Sequence, residues 1–155
     1  MAKNPEVLVI LGSKSDEETM AGCLSMLDKF EISYGYEISS AHRNPGKTRI
    51  LAESAREEGY KVIIAAAGMA AALPGVIASH TILPVIGVPL PGSALNGVDA
   101  LYAIAQMPAG VPVASMAIGS HGAKNAALMA ARIISLSDES LAKKLGKYQK
   151  DLAKG

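Results

Sequence analysis

Val7-Leu8-Val9-Ile10-Leu11-Gly12-Ser13-Lys14-Ser15-Asp16-Glu17-Glu18 decides the fold. Five consecutive apolar residues between Pro5 and Gly12 describe a strand buried on both faces, as strands are in a parallel sheet covered by helices. The Gly-Ser turn leads directly into Ser15-Asp16-Glu17-Glu18. A serine with a glutamate three residues on reads as a capping box, opening a helix with Met20, Leu24, Leu27 and Phe30 on its apolar positions.

Outward from this segment the unit repeats. Ser33 to Ser39 reads as a second strand, and Asn44-Pro45 opens a helix with proline at its first position that closes at Glu57-Glu58-Gly59. Lys61 to Ala66 predicts a third strand, Ala70 to His80 a small-residue helix, Pro84 to Val88 a fourth strand and Asp99 to Gln106 a further helix. Val111 to Ile118 predicts a fifth strand and Ala123 to Ser135 an alanine-rich helix. Ser137 is read as the cap of a last helix carrying Leu141, Leu145, Tyr148 and Leu152 on one stripe. Strands and helices that alternate with short connections predict an α/β fold, a right-handed three-layer αβα sandwich around one parallel sheet. Ligands of such folds sit beyond the C-terminal strand ends. That places the chemistry in five segments, 12–16, 39–45, 67–75, 89–99 and 119–125.

The chain has 155 residues, the length of a single domain, and a net charge of +1 with no block of like charge, so neither nucleic acid nor an anionic membrane is an expected partner. From Val62 to Ala123 the only Asp, Glu, Lys or Arg is Asp99. This stretch is long enough to raise a transmembrane helix, but Gly68, Pro74, Gly75, Pro84, Pro89, Pro91 and Pro108 interrupt it and alanine dominates it. A small protein with so much uncharged sequence needs partners to cover it, and a homo-oligomer with an apolar interface is expected. Cys23, the single cysteine, falls on an apolar helix position and reads as a buried structural thiol in a reducing compartment. Lys3, Asn4, Pro5 and Glu6 precede only five apolar residues, too few for the core of a secretory signal, and a cytoplasmic location is expected.

Two segments carry the chemistry. Gly12-Ser13-Lys14-Ser15-Asp16 sits between a buried strand and a helix start, where backbone amides and hydroxyls either hold an anion or simply cap the helix; Asp16 either accepts sugar hydroxyls or favours the helix dipole. Ser40-Ala41-His42-Arg43-Asn44-Pro45 brings together a histidine suited to proton transfer near neutral pH and an arginine suited to a phosphate. His80 ends an apolar helix, His121 lies in a glycine-rich turn, and no histidine pair has ligand spacing, so no metal is expected. Ala65 to Gly75 is a strand end running into small residues, read as a dry pocket wall, a tight helix-packing surface, or both.

Together these motifs resemble the bacterial-type N5-carboxyaminoimidazole ribonucleotide mutase family of purine biosynthesis, the catalytic-subunit family of phosphoribosylaminoimidazole carboxylase. The resemblance rests on Gly-Ser-Lys-Ser-Asp at 12–16, Ser-Ala-His-Arg at 40–43, Leu-Pro-Gly at 73–75, Leu-Asn-Gly-Val-Asp at 95–99, Gln-Met-Pro at 106–108, Ala-Ile-Gly at 117–119 and Asn-Ala-Ala-Leu at 125–128. It implies a flavodoxin-like fold, a homo-octamer with active sites at subunit interfaces, and a C-terminal helix, about 138–153, reaching a neighbouring subunit. It also implies transfer of a carboxylate from an exocyclic nitrogen to ring carbon C4 of an aminoimidazole ribonucleotide through released carbon dioxide, with no cofactor and no metal. The resemblance puts the proton shuttle on His42 and phosphate and ribose recognition on Ser13, Asp16 and Arg43. Gly12, Ser15, Ser40, Ala41, Gly68, Ala71 and Leu73 complete the substrate wall. The chain departs from the family at one loop: where relatives read Ala-Gly-Gly-Ala-Ala-His-Leu-Pro-Gly, this sequence has Met69 for the second glycine and Ala72 for the histidine. Relatives that carboxylate aminoimidazole ribonucleotide directly with carbon dioxide carry Arg-Ser-Asn in this loop, which is also absent. Leu73-Pro74-Gly75 and Gln106-Met107-Pro108 favour the mutase; direct carboxylation and a non-catalytic nucleotide-binding module are the alternatives.

Overall fold

The computed structural model describes residues 4–155; Lys3, part of the N-terminal reading, lies outside them. Five parallel strands, β1 (Val7–Leu11), β2 (Tyr34–Ile38), β3 (Val62–Gly68), β4 (Val85–Leu90) and β5 (Ala114–Ser115), form one sheet in the order β2-β1-β3-β4-β5. Six helices flank it: α1 (Glu17–Lys29), α2 (Pro45–Ser54), α3 (Leu73–Ser79), α4 (Val98–Ala105), α5 (Ser120–Ser135) and α6 (Glu139–Leu152). This is the flavodoxin-like order, whose switch of direction falls between β1 and β3.

The alternation of β1 divides the core in two. Val7, Val9 and Leu11 face α1, α5 and α6, while Leu8 and Ile10 face α2, α3 and α4. All five are buried, as a strand covered on both sides requires. The five buried alanines of α5, Ala123, Ala126, Ala127, Ala130 and Ala131, let it lie close against α1 and the sheet. Gly122 lets α5 fold back on the loop before it: a Cβ there would overlap the Ala117 carbonyl oxygen. Cys23 is fully buried in this layer, and burial pushes its thiol up to about 12, far from a reactive thiolate.

Several expected boundaries are corrected. α2 closes at Ser54, short of the expected Glu57-Glu58-Gly59, and α5 opens at Ser120 rather than Ala123. The capping box belongs to Ser13 and Asp16 rather than Ser15 and Glu18: the Ser13 amide donates to the Asp16 carboxylate at 3.0 Å, and a 3-10 turn, Lys14–Asp16, precedes α1. The helix expected from Ala70 starts at Leu73, because Met69 (φ 54°) and Ala71 (φ 32°) take left-handed backbone that no helix continues through. The strand expected over 111–118 pairs only at Ala114 and Ser115; Pro112 offers no amide and the segment is a sheet edge. Asp138 rather than Ser137 caps α6, accepting the Leu141 amide at 3.0 Å. Leu141, Leu145 and Tyr148 of the α6 stripe pack on their own chain, with Tyr148 edge-on to Phe30 at 5.5 Å between ring centroids, while Leu152 at the end of the helix is exposed.

Candidate active site

At the switch point the C-terminal ends of β1, β2 and β3 open into a cleft of about 620 Å³, ordinary for a small-molecule site. The first wall is the turn after β1. Its opening amide, Gly12, is tied to β3 by a 3.0 Å bond to the Ala66 carbonyl. The Ser13 hydroxyl lies 2.9 Å from the Ser15 hydroxyl and accepts the Ser15 amide at 3.3 Å. Asp16 is half-buried, and that burial raises its carboxyl above the usual range, opposed by the Ser13 amide it accepts.

The second wall follows β2. The Ser39 amide donates to the Leu11 carbonyl at 2.9 Å, holding this strand end beside the first wall. The buried Ser39 hydroxyl meets the Thr48 hydroxyl of α2 at 2.8 Å. Between these anchors Ser40 to Arg43 turn sharply. The Asn44 amide donates to the Ser40 carbonyl (2.8 Å), the Arg43 amide to the Ser40 hydroxyl (3.2 Å), and Asn44 caps α2 by accepting the Lys47 amide (3.1 Å). Ser40 is thereby engaged in holding the turn, while His42 and Arg43 project with exposed side chains into the cleft lining.

The third wall is the turn after β3. Ala67 to Leu73 line the cleft with no polar side chain, closed by the Ala71 amide on the Gly68 carbonyl at 3.0 Å. Gly68 fits closely, since a Cβ there would come 3.2 Å from the Leu90 carbonyl oxygen. Left-handed backbone at a non-glycine residue costs roughly 1–2 kcal/mol, and the turn carries two such residues, Met69 and Ala71. Ala71 is buried in the α3 layer, whereas Met69 is 62% exposed on the cleft rim.

The residues expected at the site therefore come together: Gly12, Ser13, Ser15, Asp16, Ser40, Ala41, His42, Arg43, Gly68, Ala71 and Leu73 line this one cleft. Thr19, Pro91 and Gly92 also line it and were not singled out individually. Thr19 lies one helical turn beyond Ser15, a position signalled only by the helix phase. Pro91 and Gly92 come from the loop after β4, which reaches over from the far side of β3. His121, at the exposed start of α5, is not among the lining residues, and neither is His80, which lies 3.5 Å from Glu53. No cluster of metal-ligating side chains occurs among the described residues.

A family model described as AIR carboxylase matches residues 6–155. The chain is 48% identical over 151 residues to the N5-carboxyaminoimidazole ribonucleotide mutase of Haemophilus influenzae, covering 97% of this chain and 92% of that protein. It is 55% identical over 141 residues to the protein of the same name from Bacillus subtilis, covering 91% and 87%. Among solved structures, Treponema denticola PurE superposes with a TM-score of 0.86 at 30% identity, covering 97% of this chain and 92% of that one.

Proposed function

This chain belongs to the AIR carboxylase family, and we propose from that membership and its cleft that it converts N5-carboxyaminoimidazole ribonucleotide to 4-carboxy-5-aminoimidazole ribonucleotide. The observation that carries the reading is one juxtaposition: a hydroxyl-rich helix cap, a turn bearing His42 and Arg43, and a turn without polar side chains border a single cleft.

In this reading Arg43, Ser13 and the amides near the start of α1 hold the phosphate, and Asp16 accepts the ribose hydroxyls. Gly12, Ser15, Ser40, Ala41, Gly68, Ala71 and Leu73 shape the wall around them. His42 begins protonated and gives its proton to the exocyclic nitrogen as the nitrogen–carboxylate bond breaks, the bonding pair staying on nitrogen. Carbon dioxide is left beside the ring. The electron-rich C4 then attacks its carbon, and the C4 proton passes to His42, which returns to its starting state. Bonds and protons balance without a cofactor. The apolar turn 67–73 excludes water while carbon dioxide is free.

The same reading makes the protein a cytoplasmic homo-octamer, each copy a single domain whose C-terminal helix touches a neighbour. The exposed apolar residues Ile82, Leu95, Tyr102, Leu136 and Leu152 support assembly.

Turnover of the N-carboxylated ribonucleotide in labelled bicarbonate tests the assignment. Early C4 product is expected to carry little label, and His42→Asn is expected to lose at least about 100-fold in turnover while retaining ligand binding. Full labelling, with faster use of plain aminoimidazole ribonucleotide and carbon dioxide, would replace the mutase with a direct carboxylase. Binding without any turnover would leave a nucleotide-binding module.

A further inference from the structure

The lining of the cleft is asymmetric. Ser13, Asp16, His42 and Arg43 make one side polar, whereas the turn after β3 presents only backbone and apolar side chains. Met69 is the one large flexible side chain on that apolar side, and it is 62% exposed. Its backbone stands at φ 54°, where glycine would rest without strain. The residue thus carries two penalties in the free protein, a disfavoured backbone and apolar surface in water. Both are consistent with a side chain whose contacts are completed by a bound molecule. A methionine suits such a contact, because its thioether packs well on the faces of aromatic rings and adapts through three rotatable bonds.

We propose that Met69 is a specificity-determining residue whose thioether folds over the aminoimidazole ring and keeps carbon dioxide from leaving before C4 attacks it. The inference rests on the mutase reading above. Carbon dioxide is small, neutral and apolar, so no charge or hydrogen bond retains it; only a closed wall does. Ala70 and Ala72, which flank Ala71, are too short to form that wall. Escape has its own stoichiometry: the N-carboxylated ribonucleotide plus one proton gives aminoimidazole ribonucleotide and carbon dioxide. Each escape event is therefore counted as free aminoimidazole ribonucleotide formed in place of the C4-carboxylated product.

The test measures that partition, corrected for the enzyme-free blank, in wild type, Met69→Gly and Met69→Leu, together with melting temperature and mass by light scattering. Met69→Gly is expected to melt higher, as backbone strain is relieved, and to raise the fraction of escape by about tenfold, in line with the loss of one hydrophobic pocket contact. Met69→Leu, which restores an apolar cover, should partition like wild type. An unchanged partition in Met69→Gly, in a wild type that does convert the substrate, overturns the role of Met69 and leaves the mutase reading standing. A wild type that forms no C4 product from the N-carboxylated substrate removes the mutase reading and this inference with it. A change of oligomeric mass in Met69→Gly assigns the exposed side chain to a subunit contact and overturns the inference as well.

Discussion

Asp16 shows how a single residue that lines the cleft can work against the fold. Its carboxyl is raised by burial, with the Ser13 amide acting in the opposite direction. A carboxyl whose folded value lies above its unfolded value of 3.8 favours folding in the protonated form, so its contribution is present below that value and disappears as pH rises through the folded value. At neutral pH the charged form is a net cost. Asp16→Asn keeps an oxygen to accept the Ser13 amide and removes the charge; it should melt higher than wild type at pH 7, with the difference shrinking as pH falls toward 4. The same variant should bind the ribonucleotide more weakly, since a neutral amide is a poorer acceptor for ribose hydroxyls than a carboxylate. Thermal melts across pH and a substrate titration separate the two effects; a lower melting temperature at pH 7 would mean that the capping bond outweighs the burial.

At this scale the sequence was most readable where a residue type has few competing uses. His42 and Arg43 after the second expected strand were legible because an imidazole and a guanidinium side by side at a strand end point to one place in a doubly wound fold. The exchange of Ser15 for Ser13 at the cap was not legible. Both serines precede an acidic residue three positions on, Asp16 or Glu18, and only the extended backbone of Ser13 (φ −150°, ψ 152°) distinguishes them.

Among the elements, α2 governs where His42 stands. Its hold on the end of β2 combines two hydroxyls, Ser39 and Thr48, both buried and 2.8 Å apart, with Lys47, which reaches the Ile38 carbonyl and the Glu37 carboxylate at 2.9 Å; the Thr48 hydroxyl is also 3.2 Å from the Asn44 carbonyl. Removing one partner from a buried pair leaves the other without it, at a cost of about 1–3 kcal/mol. Thr48→Val is therefore expected to lower stability by about that amount and to reduce kcat, because the turn from Ser40 to Arg43 is suspended between Ser39 and α2. Thr48→Ser restores the hydroxyl and should recover both. Denaturant unfolding and steady-state kinetics read the two; a Thr48→Val enzyme with wild-type kcat would show that the turn holds itself. Strand and helix order was legible because β1, β3 and β4 are unbroken apolar runs. The start of α3 and the length of β5 were not, because the first depends on left-handed backbone at Met69 and Ala71 and the second on which amides find a partner at an edge. Periodicity records neither.

For the molecule as a whole, surface area and charge point the same way. A compact monomer of 16.0 kDa should expose about 7,400 Å², whereas this chain exposes 8402 Å². Part of the surplus is apolar: Ile82 is 80% and Leu136 88% exposed, and Leu95 and Tyr102 lie in the stretch where Asp99 is the only charge. Asp99 itself turns inward, with one carboxylate oxygen buried. Scattered apolar residues are normal on a monomer, but a surface with this little charge over so long a stretch is poorly protected against association. In the proposed assembly the uncharged face is buried, which leaves the charged helices α1 and α2 to meet water. The solution mass should accordingly be a multiple of 16.0 kDa, near 128 kDa for eight copies, and stable on dilution to micromolar concentration. Tyr102→Glu, a charge placed on the exposed face of α4, should lower that mass if the uncharged stretch is the interface. Multi-angle light scattering of both proteins decides the matter: a monodisperse 16 kDa species for the wild type would refute assembly, and an unchanged mass for the variant would move the interface away from α4.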